Sequence, residues 1–223
     1  MSTSDTTVGF STLAATPAWG EQQFVGQLRA GSVDAFNYLI AVYHQPLYQF
    51  ISRVMGGSDE AGDILQESFL KVFRSAAHFE GKSSLKTWLY QIALHEASNR
   101  RRWWRRHKQR ELSLDDTDAG GMDWARRLPD GGESPLSLAL RQEQRRQLQH
   151  ALQRVPEPFH TVVVLREIEG FSYDEIAEIL RVRPGTVKSR LMRGREMLRR
   201  EWLHDREKSA RVPAEPRSVE SDL

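Results

Sequence analysis

The chain has 223 residues, of which 39% are hydrophobic and 28% charged, with no cysteine and a formal net charge of +2. That length holds one or two domains. The polarity leaves no run of the roughly 20 apolar residues that cross a bilayer, and the missing cysteines exclude disulfides, thiolate zinc sites and thiol chemistry by this chain.

Residues Met1 to Gly20 are rich in Ser, Thr and Ala, with neither a basic start nor an apolar stretch, which argues against a secretory signal. With the absence of cysteine this predicts a cytoplasmic protein without direct membrane insertion. The small net charge hides a strong pattern. Asn99 to Arg110 holds seven basic residues and no acidic one; Glu111 to Glu133 holds seven acidic and two basic; Arg181 to Arg200 holds eight basic and one acidic. Two cationic blocks separated by an anionic stretch predict two polyanion-binding surfaces on one chain.

Apolar residues recur at helical spacing and strand signals are almost absent, so the fold class is all-α. Phe36, Leu39, Ile40, Tyr43, Leu47, Phe50, Ile51 and Val54 mark one face of a long helix, with Ser32 as N-cap and Gly56-Gly57 as its stop. Pro46 lies within it and is expected to kink or split it. Ser58 or Asp59 can cap a second helix, with Ile64, Leu65, Phe69, Val72 and Phe73 turned inward. A third helix after Ser83-Ser84 buries Leu85, Trp88, Leu89, Ile92 and Leu94 before running into the first basic block. These helices form one predicted domain, residues 21–107, after an N-terminal segment 1–20 expected to be disordered.

Residues 108–133, with Asp115-Asp116-Thr117-Asp118-Ala119-Gly120-Gly121 and Pro129-Asp130-Gly131-Gly132, read as a flexible acidic linker. A second helical unit spans 134–203, and the mixed-charge tail 204–223 is expected to be disordered. Within the second unit, Ser172 and Glu175 form a capping box before an inner face of Ile176, Ala177 and Leu180. A short turn leads to Pro184 at a first helical position. Val187, Leu191, Gly194 and Leu198 then share one face, leaving Lys188, Ser189, Met192 and Arg193 opposite, flanked by Thr186. A helix apolar on one side and carrying Lys, Ser and Arg on the other suits the DNA major groove. A solvated basic helix in an ordinary bundle would show the charges without the box, the turn and the proline.

Three motifs resemble those of the extracytoplasmic-function (ECF) RNA polymerase sigma factors. Asp59 to Phe73 is similar to their polymerase-binding helix. Phe79 to Ala93 is similar to their promoter-melting loop and helix, and Pro184 to Arg190 to their minus-35 recognition helix. The likeness covers residues 22–105 and 134–200 in the family's order. It implies two small helical domains, sigma regions 2 and 4, on a linker, and a DNA-binding initiation factor rather than an enzyme. It implies core polymerase (β′ and β subunits) and promoter DNA as partners, together with an anti-sigma factor.

The resemblance assigns polymerase binding to Asp63, Gln66, Glu67, Leu70 and Lys71. It assigns minus-10 strand binding to Lys82, Ser83, Ser84, Trp88, Gln91, His95, Asn99 and Arg102, and minus-35 binding to Thr186, Lys188, Ser189, Met192 and Arg193. The residues support this independently, because opening a duplex demands pockets, aromatic faces and cations together. Trp88 fits core better than stacking, and Trp103-Trp104 fit either DNA stacking or packing beneath the domain. Four positions depart from the family pattern. Gly62 stands where an acidic residue is common and His95 where Asn is common. Arg181 replaces a turn glycine and Arg183 a small capping residue.

No metal or cofactor is expected. The seven histidines are scattered without metal-ligand spacing, and no glycine-rich stretch has a phosphate-loop pattern. A stand-alone helix-turn-helix regulator would have no use for Asp59 to Ala93. A nuclease or RNA-binding subunit would need clustered acidic ligands or an RNA module, and neither is present in the sequence.

Overall fold

The computed structural model of the chain describes residues 20–108 and 135–211. The segment 1–19, nearly all of the acidic linker and the tail beyond Arg211 lie outside the described residues. Eight α-helices account for most of what is described: α1 (Glu21–Arg29), α2 (Val33–Met55), α3 (Ala61–Ser75), α4 (Leu85–Lys108), α5 (Pro135–Arg154), α6 (Phe159–Val163), α7 (Tyr173–Leu180) and α8 (Pro184–Arg211). No strand occurs among the described residues, and no helix among them is long and apolar enough to cross a membrane.

The Ser32 hydroxyl accepts the Ala35 N–H at 3.4 Å and starts α2, while Gly56, at φ 73°, ends it in the left-handed conformation that glycine adopts without strain. Pro46 does not split α2, which runs unbroken through it. Pro46 faces solvent, and the neighbouring Leu39, Leu47, Phe50 and Ile51 are almost fully buried. Packing on that side, at about 1.5–3 kcal/mol per buried side chain, offsets the cost of a proline in a helix interior, which is about 3 kcal/mol.

Neither Ser58 nor Asp59 is the N-cap of α3. The helix begins at Ala61 after a turn in which the Ser58 hydroxyl accepts the Glu60 N–H at 3.3 Å. Ile64, Leu65 and Val72 point inward as predicted, but Phe73 is 58% exposed. At about 100° per residue, position 73 lies half a turn round from Ile64. Buried Ser68 takes the inner place instead, its hydroxyl donating to the Ile64 carbonyl at 2.6 Å.

α4 starts with Ser84, whose hydroxyl accepts the Thr87 N–H at 3.0 Å. It buries Leu85, Leu89 and Ile92 on the side of α2 and α3, while Leu94, half a turn round from Leu85, is buried beside the end of α7. The β-branched run Thr161 to Leu165 is helical, as its surroundings predicted. It passes from α6 into a π-helical turn, Val164–Ile168, closed by Glu169 N–H to the Val164 carbonyl at 3.1 Å. In α8 the helix continues eight residues beyond the predicted end at Leu203. Arg154 at the end of α5 holds that extension, binding Glu201 at 3.0 Å and also Asp205.

Gly194 sits where α8 crosses α6. A Cβ there would lie 2.6 Å from Val163 Cγ2 and 3.2 Å from the Phe159 carbonyl. Gly62 on α3 has nothing within 4 Å. Alanine in a helix is favoured over glycine by up to about 1 kcal/mol, whereas an overpacked contact costs about 1–3 kcal/mol. The two substitutions are therefore expected to have opposite signs: thermal melting should show Gly62→Ala neutral to stabilised and Gly194→Ala destabilised.

Candidate nucleic-acid and polymerase interfaces

On α3 the five predicted polymerase-binding residues share one exposed face. Asp63, Gln66, Glu67 and Leu70 point to solvent. Lys71 reaches across to α4, its ammonium 2.6 Å from Glu96 Oε1 and 3.3 Å from His95 Nδ1. Leu70 is about half exposed, and Phe73 adjoins it with its ring 4.8 Å from that of Phe36. The apolar part of this face is thus larger than predicted. The extra residue was legible in the sequence through its angle on the helix.

The predicted minus-10 residues fall into three groups. Lys82, Ser83 and Ser84 lie at the entrance to α4. Lys82 pairs with Glu80, and the Ser84 hydroxyl is engaged with Thr87 Oγ1 at 2.8 Å while it caps the helix. Trp88, Gln91 and His95 line a groove of about 450 Å³ whose far wall is Ile179, Leu180 and Arg181, at the end of α7. Asn99 and Arg102 line a larger groove of about 890 Å³ with Glu67, Arg100, Trp103 and Arg106. His95 Nδ1 lies 3.1 Å from Asn99 Nδ2, and Arg102 donates to Asn99 Oδ1, so the second and third groups are chained along α4.

Trp88 is half-buried and stacked on Phe79 at 4.7 Å, which leaves one face for any base. Tyr90, by contrast, is 1% exposed and offers no aromatic face to DNA. Trp103 and Trp104 are each more than 40% exposed. Trp103 stacks on His107, and the Trp104 indole N–H donates to Glu60.

The helix-turn-helix is formed as expected. The Ser172 N–H donates to Glu175 Oε2 at 2.8 Å and the Ser172 hydroxyl accepts the Glu175 N–H at 3.2 Å. Ile176, Ala177 and Ile179 are buried. Arg181 ends α7 at φ 52°, the left-handed position where glycine is the usual choice. Val187 and Leu191 are buried, and Lys188, Ser189, Met192 and Arg193 face outward, with Thr186 half-buried at their edge. The Ser189 hydroxyl donates to the Thr186 carbonyl at 3.0 Å, while Arg195 is engaged by Glu167 at 2.6 Å.

The two helical units touch, which periodicity could not reveal. α7 lies across α4, and Glu169, just before Gly170, joins them. Its carboxylate accepts from Arg53 Nη1 at 2.9 Å and from the Tyr90 hydroxyl at 2.8 Å, and its carbonyl accepts from Lys86 Nζ at 2.9 Å. Burial, and then the nearby Glu169 charge and its hydrogen bond, pushes the Tyr90 phenol well above the usual range. At a second junction Arg101 on α4 donates to Glu157 Oε1 at 2.8 Å, and Thr161 donates to the same oxygen at 2.7 Å. Burial alone would raise Glu157, but the bonds from His160, Arg101 and Thr161 outweigh it and hold its carboxyl down to about 2. Burial would also raise Glu96, yet Lys71 and His95 hold it below its ordinary value. Sequence periodicity gave no sign of Glu169, Arg53, Glu157 or Arg101, because their partners lie far away along the chain.

Residues 39–110 match the family described as Sigma-70 region 2, and residues 145–198 match Sigma-70, region 4. The chain is 35% identical to the RNA polymerase sigma-H factor of Pseudomonas aeruginosa, over 80% of this chain and 91% of that one. It is 36% identical to the ECF RNA polymerase sigma-E factor of Haemophilus influenzae, over 80% and 93%. Among solved structures, the sigma factor RpoE from Bartonella quintana, in complex with the anti-sigma factor NepR, shares its fold. The TM-score is 0.57 at 23% identity, over 77% of this chain and 98% of that one. Two domains of this type, in this order, define a DNA-binding transcription initiation factor, not an enzyme. The chain belongs to the ECF sigma factors, which direct promoter recognition by RNA polymerase.

Because the Glu157 carboxyl is lower in the folded chain than its ordinary 4.5, its contribution is complete above that value and is lost as pH falls toward about 2. Melting temperatures followed from pH 6 downward should fall more steeply for the unaltered chain than for Glu157→Gln, which starts lower and has no such carboxylate to protonate.

Proposed function

We propose that this sigma factor carries out initiation with three separate surfaces. The outer face of α3, with Asp63, Gln66, Glu67, Leu70 and Lys71 and widened by Phe73, docks on the β′ subunit of core polymerase, whose β subunit is the chain's second polymerase partner. The strip along α4, with the Lys82 to Ser84 loop at its head, captures the unwound minus-10 strand and so favours opening. α8 reads the minus-35 duplex with Lys188, Ser189, Met192 and Arg193, and Thr186 contributes at the edge. Region 2 is assigned to residues 21–107 and region 4 to 134–203, extended along α8, with the acidic segment 108–133 as tether. Two weak contacts on one tether gain affinity through effective concentration. The chain acts in the cytoplasm, beside its polymerase. An anti-sigma factor, the class of partner bound by the Bartonella protein, regulates it.

One observation carries this reading. α8 has Val187, Leu191 and Gly194 buried on one side and a cationic, hydroxyl-bearing face on the other, at the end of a capped helix and a left-handed turn. A helix held in this way presents its N-terminal half to base edges and phosphates.

Run-off transcription with purified core polymerase on fragmented genomic DNA should yield a set of promoters sharing an upstream element. Lys188→Ala with Arg193→Ala should lower use of those promoters, by about tenfold or more if one base contact of about 1–3 kcal/mol is lost. It should also reduce the salt slope of duplex binding by about one for each phosphate contact removed. Unchanged promoter choice would remove α8 from recognition. Gln66→Ala with Leu70→Ala should weaken capture of core polymerase in a pull-down without altering duplex binding. Retention equal to the unaltered chain would exclude the α3 face.

A further inference from the structure

We propose that Lys71 is a positioning residue of the strand-binding strip. It screens Glu96, the one carboxylate of α4, and fixes which nitrogen of His95 carries the proton, so that His95 offers the strand a hydrogen-bond donor. The proposal rests on the assignment of that strip made above and adds to it a residue from the neighbouring helix.

The Lys71 side chain is turned from the outer face of α3 and lines the groove of Trp88, Gln91 and His95, while Glu96 lines the adjoining groove with Asn99 and Arg102. Their ion pair, 2.6 Å long, stands on the seam between the two halves of the strip. α4 carries seven Lys or Arg residues and Glu96 as its only acid. An unscreened carboxylate at that point would repel the phosphates of a strand laid along the helix. Arg100, one turn further on, does not supply the screening, because it pairs with Glu60 at 3.5 Å. The compensating charge comes from α3 instead.

The same ammonium sets the imidazole. Three groups meet His95 Nδ1: the Lys71 ammonium at 3.3 Å, Asn99 Nδ2 at 3.1 Å and Glu96 Oε1 at 3.1 Å. Arg102 donates to Asn99 Oδ1, so the Asn99 amide turns its N–H toward His95. An ammonium can only donate. Two donors therefore converge on Nδ1, and the single acceptor there is already engaged by Lys71 at 2.6 Å. In the neutral ring Nδ1 keeps its lone pair and the proton sits on Nε2, which bonds to no described residue. The His95 side chain is 53% exposed, and a base beside it meets a donor, which pairs with a ring nitrogen or carbonyl oxygen. Without Lys71, Glu96 becomes the strongest partner of Nδ1. The proton moves there to donate to the carboxylate, and Nε2 becomes an acceptor. The same base then meets lone pair against lone pair.

Two measurements on the full chain test this. Nitrogen NMR of the His95 ring at about pH 8, above the ordinary histidine range, should show Nε2 protonated in the unaltered chain and Nδ1 protonated in Lys71→Ala. Adding Glu96→Gln to Lys71→Ala should return the proton to Nε2, because the glutamine amide donates to Nδ1 and carries no charge. Strand opening is followed in the holoenzyme, by permanganate oxidation of unpaired thymines on a promoter fragment from the run-off experiment. Core polymerase is held in excess, so that every variant is fully docked. Lys71→Ala should open the fragment about tenfold more slowly, the scale of one polar group left without its partner, and the double variant should recover most of that loss. An unmoved ring proton in Lys71→Ala would overturn the positioning role and leave the strip assignment standing. A moved proton with equal opening rates would overturn the place of His95 in the strip, and the proposal with it. Slow opening that Glu96→Gln does not relieve would make Lys71 a polymerase contact alone, which also overturns the proposal.

Discussion

The circumference of α4 constrains everything else in this molecule. At about 100° per residue, Leu85, Leu89, Ile92 and Ala93 fall on the side that fills the core with α2 and α3. Tyr90 and Arg101 fall on the side that meets region 4. Between these sides, Ser84, Trp88, Gln91, His95, Asn99 and Arg102 fall within a strip about 80° wide. From Leu85 to Ala97 the helix is buried over most of its surface and leaves only such a strip open. Its residues must therefore follow one another along the axis, which matches the geometry of a single strand better than that of a compact pocket. The hydrogen bonds that link Lys71, Glu96, His95, Asn99 and Arg102 fix the side chains before any ligand arrives, and a fixed surface loses less entropy on binding.

The contact between regions sets a carboxylate beside an apolar cluster that runs across both units. A buried ion pair stabilises little relative to well-packed apolar groups, because desolvation offsets most of the attraction. Where the regions meet, Glu169, Arg53 and the Tyr90 hydroxyl all give up water. The apolar component includes the edge-on contact of Tyr90 with Phe171, and the buried apolar residues of both units join in one cluster. The same charged groups demand one geometry, so the regions meet in a single register.

Local signals carried most of the fold. The Ser32 cap, the Gly56 stop, the Ser172–Glu175 box, Pro184 at the head of α8 and the apolar stripe through Val187, Leu191 and Gly194 all involve residues within a few positions of each other, and each is realised. Long-range contacts produced the discrepancies. α8 outruns its predicted end because Arg154, on another helix, binds Glu201 and Asp205. Pro46 leaves α2 whole because its neighbours are buried on the side it does not face. Phe73 was placed inward by hydrophobicity, although its angle on the helix sets it outside. Among the site residues, the α8 face and the α3 face were legible because each lies on one helix surface. The fit of α7 over α4 was not, because Glu169 meets partners 116 and 79 residues away in sequence, and no periodicity encodes such a meeting.

Arg181 connects these themes. The turn between α7 and α8 requires a left-handed residue, and an arginine there is strained relative to glycine by roughly 1 kcal/mol. Such strain persists where the side chain has another role. Arg181 walls the groove over Trp88 and His95, placing a cation beside that strip of α4. Three residues before Pro184, it also stands at the head of the recognition helix, where a cation reinforces the attraction of the helix N-terminus for phosphate. One guanidinium thus lies between the groove along α4 and the head of α8. Glycine at this position would relax the turn and remove the charge from both.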